Sequence, residues 1–241
     1  MEGRAGQGEA RERTVGDFVA EDYRTAEVFE KYGIDFCCGG QVTLSNACEK
    51  KAVDREALLR DIDAAVREPV ERGQDFSSWP TALLADYIVQ VHHGYLHANL
   101  DTIAAYARKI AEVHGARHPE VLEIARTFDG IASDMKAHLR EEEAVFFPAV
   151  KRLAEARRTG EEREAGDAEA LKASLASLRS EHEAIGEAVH AIRRLSGDYA
   201  IPDDACNTFV VTYRKLKEFE DDLHRHVHLE NNILFPKAAR L

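Results

Sequence analysis

The sequence contains no run of roughly 18 or more apolar residues, which excludes a transmembrane helix. It also lacks a basic excess. Its 32 Lys and Arg stand against 44 Asp and Glu, a formal net charge of −12, and no basic stripe breaks the acidic background. Nucleic acid and anionic membrane surfaces are therefore poor partners, and charge spread along helical faces reads as solubility. Four cysteines in 241 residues, with Cys37 and Cys38 adjacent and Cys48 and Cys206 apart, are too few for a disulfide framework. Residues Met1–Arg13 are rich in Gly, Glu and Arg and have no apolar centre. They read as a disordered tail and not as a secretory signal. Together with the cysteine usage this points to a reducing cytoplasm. Alternating apolar–polar strand patterns are nearly absent.

What is present is helical periodicity, and 44% hydrophobic residues give it a core to build, so the chain reads as all-α. After the tail (1–13), a small helical domain is expected over 14–68. It has a helix capped by Thr14, a second around Arg24–Tyr32 ended by Gly33, and a third around Arg55–Arg67. The segment "YGIDFCCGGQVTLSNAC" lies among them as a tight turn region. A Pro-, Gly- and Ser-bearing linker over 69–79 leads into residues 80–241. There, four long helical patterns run Pro80–His114, Pro119–Ala156, Ala168–Ser196 and Pro202–Ala239. Short breaks fall at Gly115, at "RRTGEEREAGD" and at Gly197–Pro202, as expected of an up-down-up-down four-helix bundle.

Each long helix carries an apolar seam with steps of four and three. The seams read Val89, His93, Leu96, Leu100, Ile103, Ala107, Ile110; then Ile124, Phe128, Ile131, Met135, His138, Glu142, Val145, Ala149; then Leu171, Leu175, Leu178, His182, Ile185, Val189, Ile192; and last Leu216, Phe219, Leu223, His226, Glu230, Ile233. Every seam holds one histidine. The second and fourth add a glutamate four residues on, within ~40° of the same direction. A charged glutamate in an apolar seam is costly unless paired or metal-bound. His92, His97, His190, His224 and His228 fall off their seams, His114 is about 30 Å from His93 along the helix, and His118 sits at a turn. These seven read as surface or partly buried histidines.

Depth agrees. The chain midpoint of His93 and His138 is Gly115–Ala116, that of Glu142 and His182 is Glu162, and that of His182 and His226 is Asp204, each in or beside a break. "HLREEEAVFFP" recurs as "HVHLENNILFP" 88 residues later, and His93 and His182 are 89 apart. Two similar hairpins, each offering one His and one His-x3-Glu unit, suit two metal ions. Imidazole with carboxylate suits iron, and also manganese or zinc. Each ion takes two histidines, both glutamates bridge, and positions stay open for an oxo or hydroxo bridge and for dioxygen or nitric oxide. A single tetrahedral zinc would leave two of the six groups unused.

The segment "EVFEKYGIDFCCGGQVTLSNACEKK" resembles the N-terminal domain of the iron–sulfur cluster repair proteins, the Repair of Iron Centres family of ScdA and YtfE type. The His-x3-Glu units with "FFP" and "NNILFP" resemble that family's hemerythrin-like bundle. The resemblance implies a cytoplasmic di-iron stress-response protein, often a homodimer. It helps restore iron–sulfur clusters damaged by nitric oxide or peroxide by supplying iron to the damaged proteins. It implies metal ligands at His93, His138, Glu142, His182, His226 and Glu230, and places the family's redox or transfer thiols at Cys37 and Cys38. Two other readings stay open: an enzyme coupling two nitric oxide molecules to nitrous oxide, and a sensor binding oxygen or nitric oxide. Whether the protein is an enzyme is left undecided by the sequence.

Overall fold

The computed structural model describes residues 12–67, 75–161 and 165–241. Most of the expected tail (1–11), most of the linker (69–74) and the centre of the second break (162–164) lie outside the described residues. The chain divides into two compact units, Met1–Asp75 and Phe76–Leu241. Among the described residues, regular structure is helical apart from one isolated antiparallel bridge, Thr14 to Thr43.

The first unit holds helices α1 (Val15–Glu21), α2 (Thr25–Lys31), α3 (Leu44–Lys51) and α4 (Arg55–Ala65). Thr14 opens α1 with a capping box: its hydroxyl accepts from the Asp17 amide, and the Asp17 carboxylate accepts from the Thr14 amide. Asp54 caps α4 in the same sense, accepting from the Glu56 amide. The turn region was expected to be irregular to Cys48, yet its last part is α3, capped by Thr43. Val15, Phe29, Phe36, Leu44 and Leu58 are buried and make this unit's core.

The bundle is made of α5 (Thr81–Ile88), α6 (Gly94–His114), α7 (Glu120–Glu141), α8 (Phe147–Thr159), α9 (Ala165–Leu195), α10 (Asn207–His228) and α11 (Phe235–Ala238). They are packed as four antiparallel rods, because α5–α6, α7–α8 and α10–α11 are each one rod interrupted by a π-helical turn. Those turns are Val89–His93, Glu142–Phe146 and Leu229–Leu234. Two have a visible cause. Pro148 and Pro236 stand in the first turn of α8 and α11, where a regular helix would clash with the proline ring, and widening the preceding turn relieves this.

A π-turn inserts one residue, and this corrects two seam positions. Val145 is exposed and Val89 only half-buried, whereas their neighbours Phe146 and Ile88 are fully buried. The remaining seam positions are buried except Leu175, which is half-buried. Gly160, at φ +74, ends α8 in the left-handed region.

Candidate metal centre

The three π-turns are where the candidate ligands stand. His93 ends the first, Glu142 opens the second, and Glu230 lies in the third. His138 is on α7, His182 on α9 and His226 on α10. All six side chains are at most 2% exposed. Burying a large apolar side chain stabilises a fold by roughly 1.5–3 kcal/mol. Burying an ion costs several kcal/mol unless it is well partnered. Two carboxylates at the centre of the bundle thus work against stability, and their partners decide what they are for.

The six groups form two overlapping sets. His93 and His226 meet Glu142 and Glu230 on one side, and His138 and His182 meet the same two glutamates on the other. Within each set the ligand atoms lie inside 4.8 Å of one another. Glu142 Oε2 is 3.4 Å from His93 Nε2 and 3.3 Å from His138 Nε2. Glu230 Oε1 is 3.1 Å from His226 Nε2 and 4.0 Å from His93 Nε2, and its Oε2 is 3.2 Å from His182 Nε2. The Nε2 atoms of His138 and His182 are 3.0 Å apart.

Three rings are fixed from behind. The Nδ1 of His93 lies 2.9 Å from Glu143 Oε1, that of His138 2.7 Å from Glu181 Oε2, and that of His182 3.0 Å from Asn231 Oδ1. These acceptors favour a proton on Nδ1, which turns the Nε2 lone pair inward. Ser177 in turn donates to Glu181, and His97 shares Glu143. Each outer partner is the chain neighbour of a candidate ligand on another rod. Behind His138, a pocket of about 490 Å³ is lined by Asp134, Glu141, Ser177 and Glu181 among others.

The residues fit a metal pair on their own chemistry. Both oxygens of Glu142, Oε2 of Glu230 and Nε2 of His93 are buried without a hydrogen bond. Unsatisfied buried acceptors aimed at one space are what a cation resolves. The charges agree. Burial favours the neutral acid at Glu142, as does Glu230, yet His138 and His93 outweigh them and hold Glu142 below the usual carboxylate range. Burial likewise opposes ionisation of Glu230, and His226 and His182 hold it well below that range. Burial opposes a proton on His138, but Glu142, Glu230 and Glu181 push it up to about 9. His93 is raised in the same contest between burial and Glu142. His226, fully buried, is pushed down by burial despite Glu230.

Among the seven histidines set aside, His97, His114, His118 and His190 are at least partly exposed. His92, His224 and His228 are not: all are buried, and burial pushes His228 down to about 3. His92 stacks on His226 with ring centroids 5.6 Å apart and planes within 4°. The π-turn rotates it inward, which a constant helical period does not anticipate.

The cysteine turn is built tightly. Asp35 Oδ1 accepts from the amides of Cys37 and Cys38 at 3.0 and 3.1 Å. A Cβ on Gly39 would meet the Asp35 carbonyl at 2.8 Å, so only glycine fits. Exposure would leave a reactive thiolate and packing in a small core an inert one; Cys37 is buried. The neighbouring Cys38 thiol, 3.9 Å away, and burial push it well above the usual thiol range. Cys38 is half-buried. Cys48 is buried, as a structural cysteine should be, whereas Cys206 is exposed at the start of α10 with His114 Nε2 3.1 Å from its sulfur.

An all-α bundle with paired His and Glu donors at its centre defines a helical cation-binding protein. Residues 84–238 match the hemerythrin HHE cation binding domain, and the chain belongs to that family. Residues 11–66 match a domain of unknown function, ScdA_N (DUF542). The chain is 29% identical to the iron-sulfur cluster repair protein ScdA of Staphylococcus epidermidis, over 95% of this chain and 99% of that protein. It is also 29% identical to the iron-sulfur cluster repair protein YtfE of Yersinia pestis, over 95% and 98%. No helix among the described residues is long and apolar enough to cross a membrane.

Proposed function

We propose that this protein holds two iron ions at His93, His138, Glu142, His182, His226 and Glu230 and uses them to restore damaged iron–sulfur clusters in other proteins. The observation that carries the reading is the pair of overlapping donor sets sharing Glu142 and Glu230. Each half offers two imidazoles and two carboxylates, a mixed nitrogen and oxygen set that suits iron. When bound, the iron pair supplies redox chemistry and an exchangeable store of iron. The chain contributes the rest. Glu143, Glu181 and Asn231 orient three rings, and the apolar seams exclude water. A pocket that has His138, Asp134, Glu141 and Glu181 in its lining brings solvent to one side of the site. Relatives named for cluster repair along nearly the whole chain support this use of the site. Residues 14–68 form the cysteine domain and 80–241 the metal domain in this reading, and the protein works in the cytoplasm as a homodimer.

The test is repair of a [4Fe–4S] enzyme inactivated with nitric oxide. Iron-loaded protein is expected to restore its activity, and His226→Ala protein, short of iron, is not. Cys37→Ser with Cys38→Ser is expected to keep the iron and lose the repair. Equal recovery with wild type and His226→Ala would overturn the reading.

A further inference from the structure

A second cluster of metal-binding side chains lies on α9 and α10, away from the paired site. His190, Glu220 and His224 present ligand atoms that all lie within 4.8 Å of one another. His190 is eight residues beyond His182 on α9, about 12 Å along the helix. Glu220 and His224 are one turn apart on α10 and share a face. Glu220 is fully buried, His224 is 7% exposed, and His190 is half-buried and gives the cluster its way to solvent.

The carboxylate is held as a ligand is held. Tyr199 donates its hydroxyl to Glu220 Oε2 at 2.6 Å, and Arg193 Nε donates to the same oxygen at 3.0 Å. Tyr199 takes a left-handed backbone, φ 58, which costs an aromatic residue energy, and the hydroxyl contact is part of what holds it there. Both bonds fall on one oxygen. The other, Oε1, is buried without a well-aligned hydrogen bond, although it too is 3.0 Å from Arg193 Nε, and it lies 3.8 Å from His224 Nε2. A buried carboxylate fixed by a tyrosine and an arginine, with one oxygen turned toward an imidazole, is the arrangement that outer partners give a metal ligand.

We infer that His190, Glu220 and His224 bind a single zinc-type divalent cation, separate from the paired site. The donor set decides the class. Two imidazoles and one monodentate carboxylate give three of zinc's four tetrahedral positions, with the fourth open to solvent. Arg193 already offsets the charge of Glu220, so a cation bound mainly by carboxylate charge gains little. Magnesium and calcium, which need several oxygen ligands, are disfavoured. Binding through imidazole donation remains. The inference goes beyond cluster repair and does not depend on it.

The test uses the full-length, iron-loaded protein and cobalt(II) as a spectroscopic probe for zinc. After dialysis against cobalt and desalting, wild type is expected to hold one further metal ion per chain. It should show the visible ligand-field absorption of four-coordinate cobalt, with its iron content unchanged, and zinc should displace the cobalt. His190→Ala, at a partly exposed position, removes a direct ligand and is expected to weaken binding by more than the roughly 10–100-fold that loss of an outer partner costs. His224→Gln should do the same, and the melting temperature reports whether either variant has lost its fold. No added cobalt in wild type would overturn the inference. So would uptake matched by loss of iron, or full retention of cobalt in folded His190→Ala protein.

Discussion

His138 and His182 are each gripped from behind, by Glu181 and by Asn231, whereas in the facing pair only His93 is, by Glu143, and His226 rests against the flat of His92. The Nδ1 of His226 has no hydrogen bond at all. The two halves repeat each other in sequence and share both carboxylates, yet they differ in their outer contacts. A pocket lined in part by acids reaches His138 among the six candidate residues. A repeat preserves the donors because the chemistry needs them. It leaves the surroundings free to diverge, and such surroundings set how firmly a bound metal ion would be held.

The largest effect comes from removing what the halves have in common. Glu142→Ala or Glu230→Ala takes a ligand from both sets. Either variant is expected to empty both halves, while His97→Ala, which touches the site only through Glu143, keeps most of the metal. Metal analysis of the purified proteins reads this directly. If either glutamate variant keeps one half fully loaded, the carboxylates are not shared.

A smaller effect separates the halves. Glu181→Ala frees His138 on the pocket side, and Glu143→Ala frees His93 on the other. Loss of such outer partners costs roughly 10–100-fold in metal affinity. With a chelator in excess, each variant is expected to speed a different phase of metal release, and wild type is expected to lose the ion beside His138 first. Two variants acting on one phase would erase the distinction between the halves.

Much of the centre was readable without coordinates. Seam period and turn midpoints brought His93, His138, Glu142, His182, His226 and Glu230 to one depth, and the structure gathers them there. The period failed where a π-turn adds a residue. It chose Val89 and Val145 where Ile88 and Phe146 are buried, and it turned His92 outward. Pro148 and Pro236 were the available signal for the second and third turns, since a proline inside a helical pattern demands some relief of the backbone, whereas the turn that carries Val89 and His92 has no proline to announce it. Glu143, Glu181 and Asn231 were missed for another reason. Each belongs to one helix and serves a histidine of another, and periodicity along one helix carries no information about its neighbour's side chains. The second cluster was missed likewise, because His190 and Glu220 meet only across α9 and α10.

The smallest effect contrasts the buried centre with an exposed pair at the turns. His118 Nε2 lies 2.9 Å from Asp204 Oδ1, and Asp204 first, then Glu120, raise the imidazole above its usual range. His118 in turn lowers Asp204. A raised histidine contributes stability that is full below its unfolded value of about 6.5 and is lost as pH rises through its folded value. A lowered aspartate contributes stability that is present above its unfolded value of about 3.9 and is lost as pH falls through its folded value. The pair therefore works between the folded values of the two groups, and exposure keeps the contribution small. In melting experiments the gap between wild type and His118→Ala is expected to narrow as pH rises from about 6 to about 9. A gap that does not change with pH would mean that His118 acts by packing against Phe209, whose ring centroid is 5.5 Å away, and not by its charge.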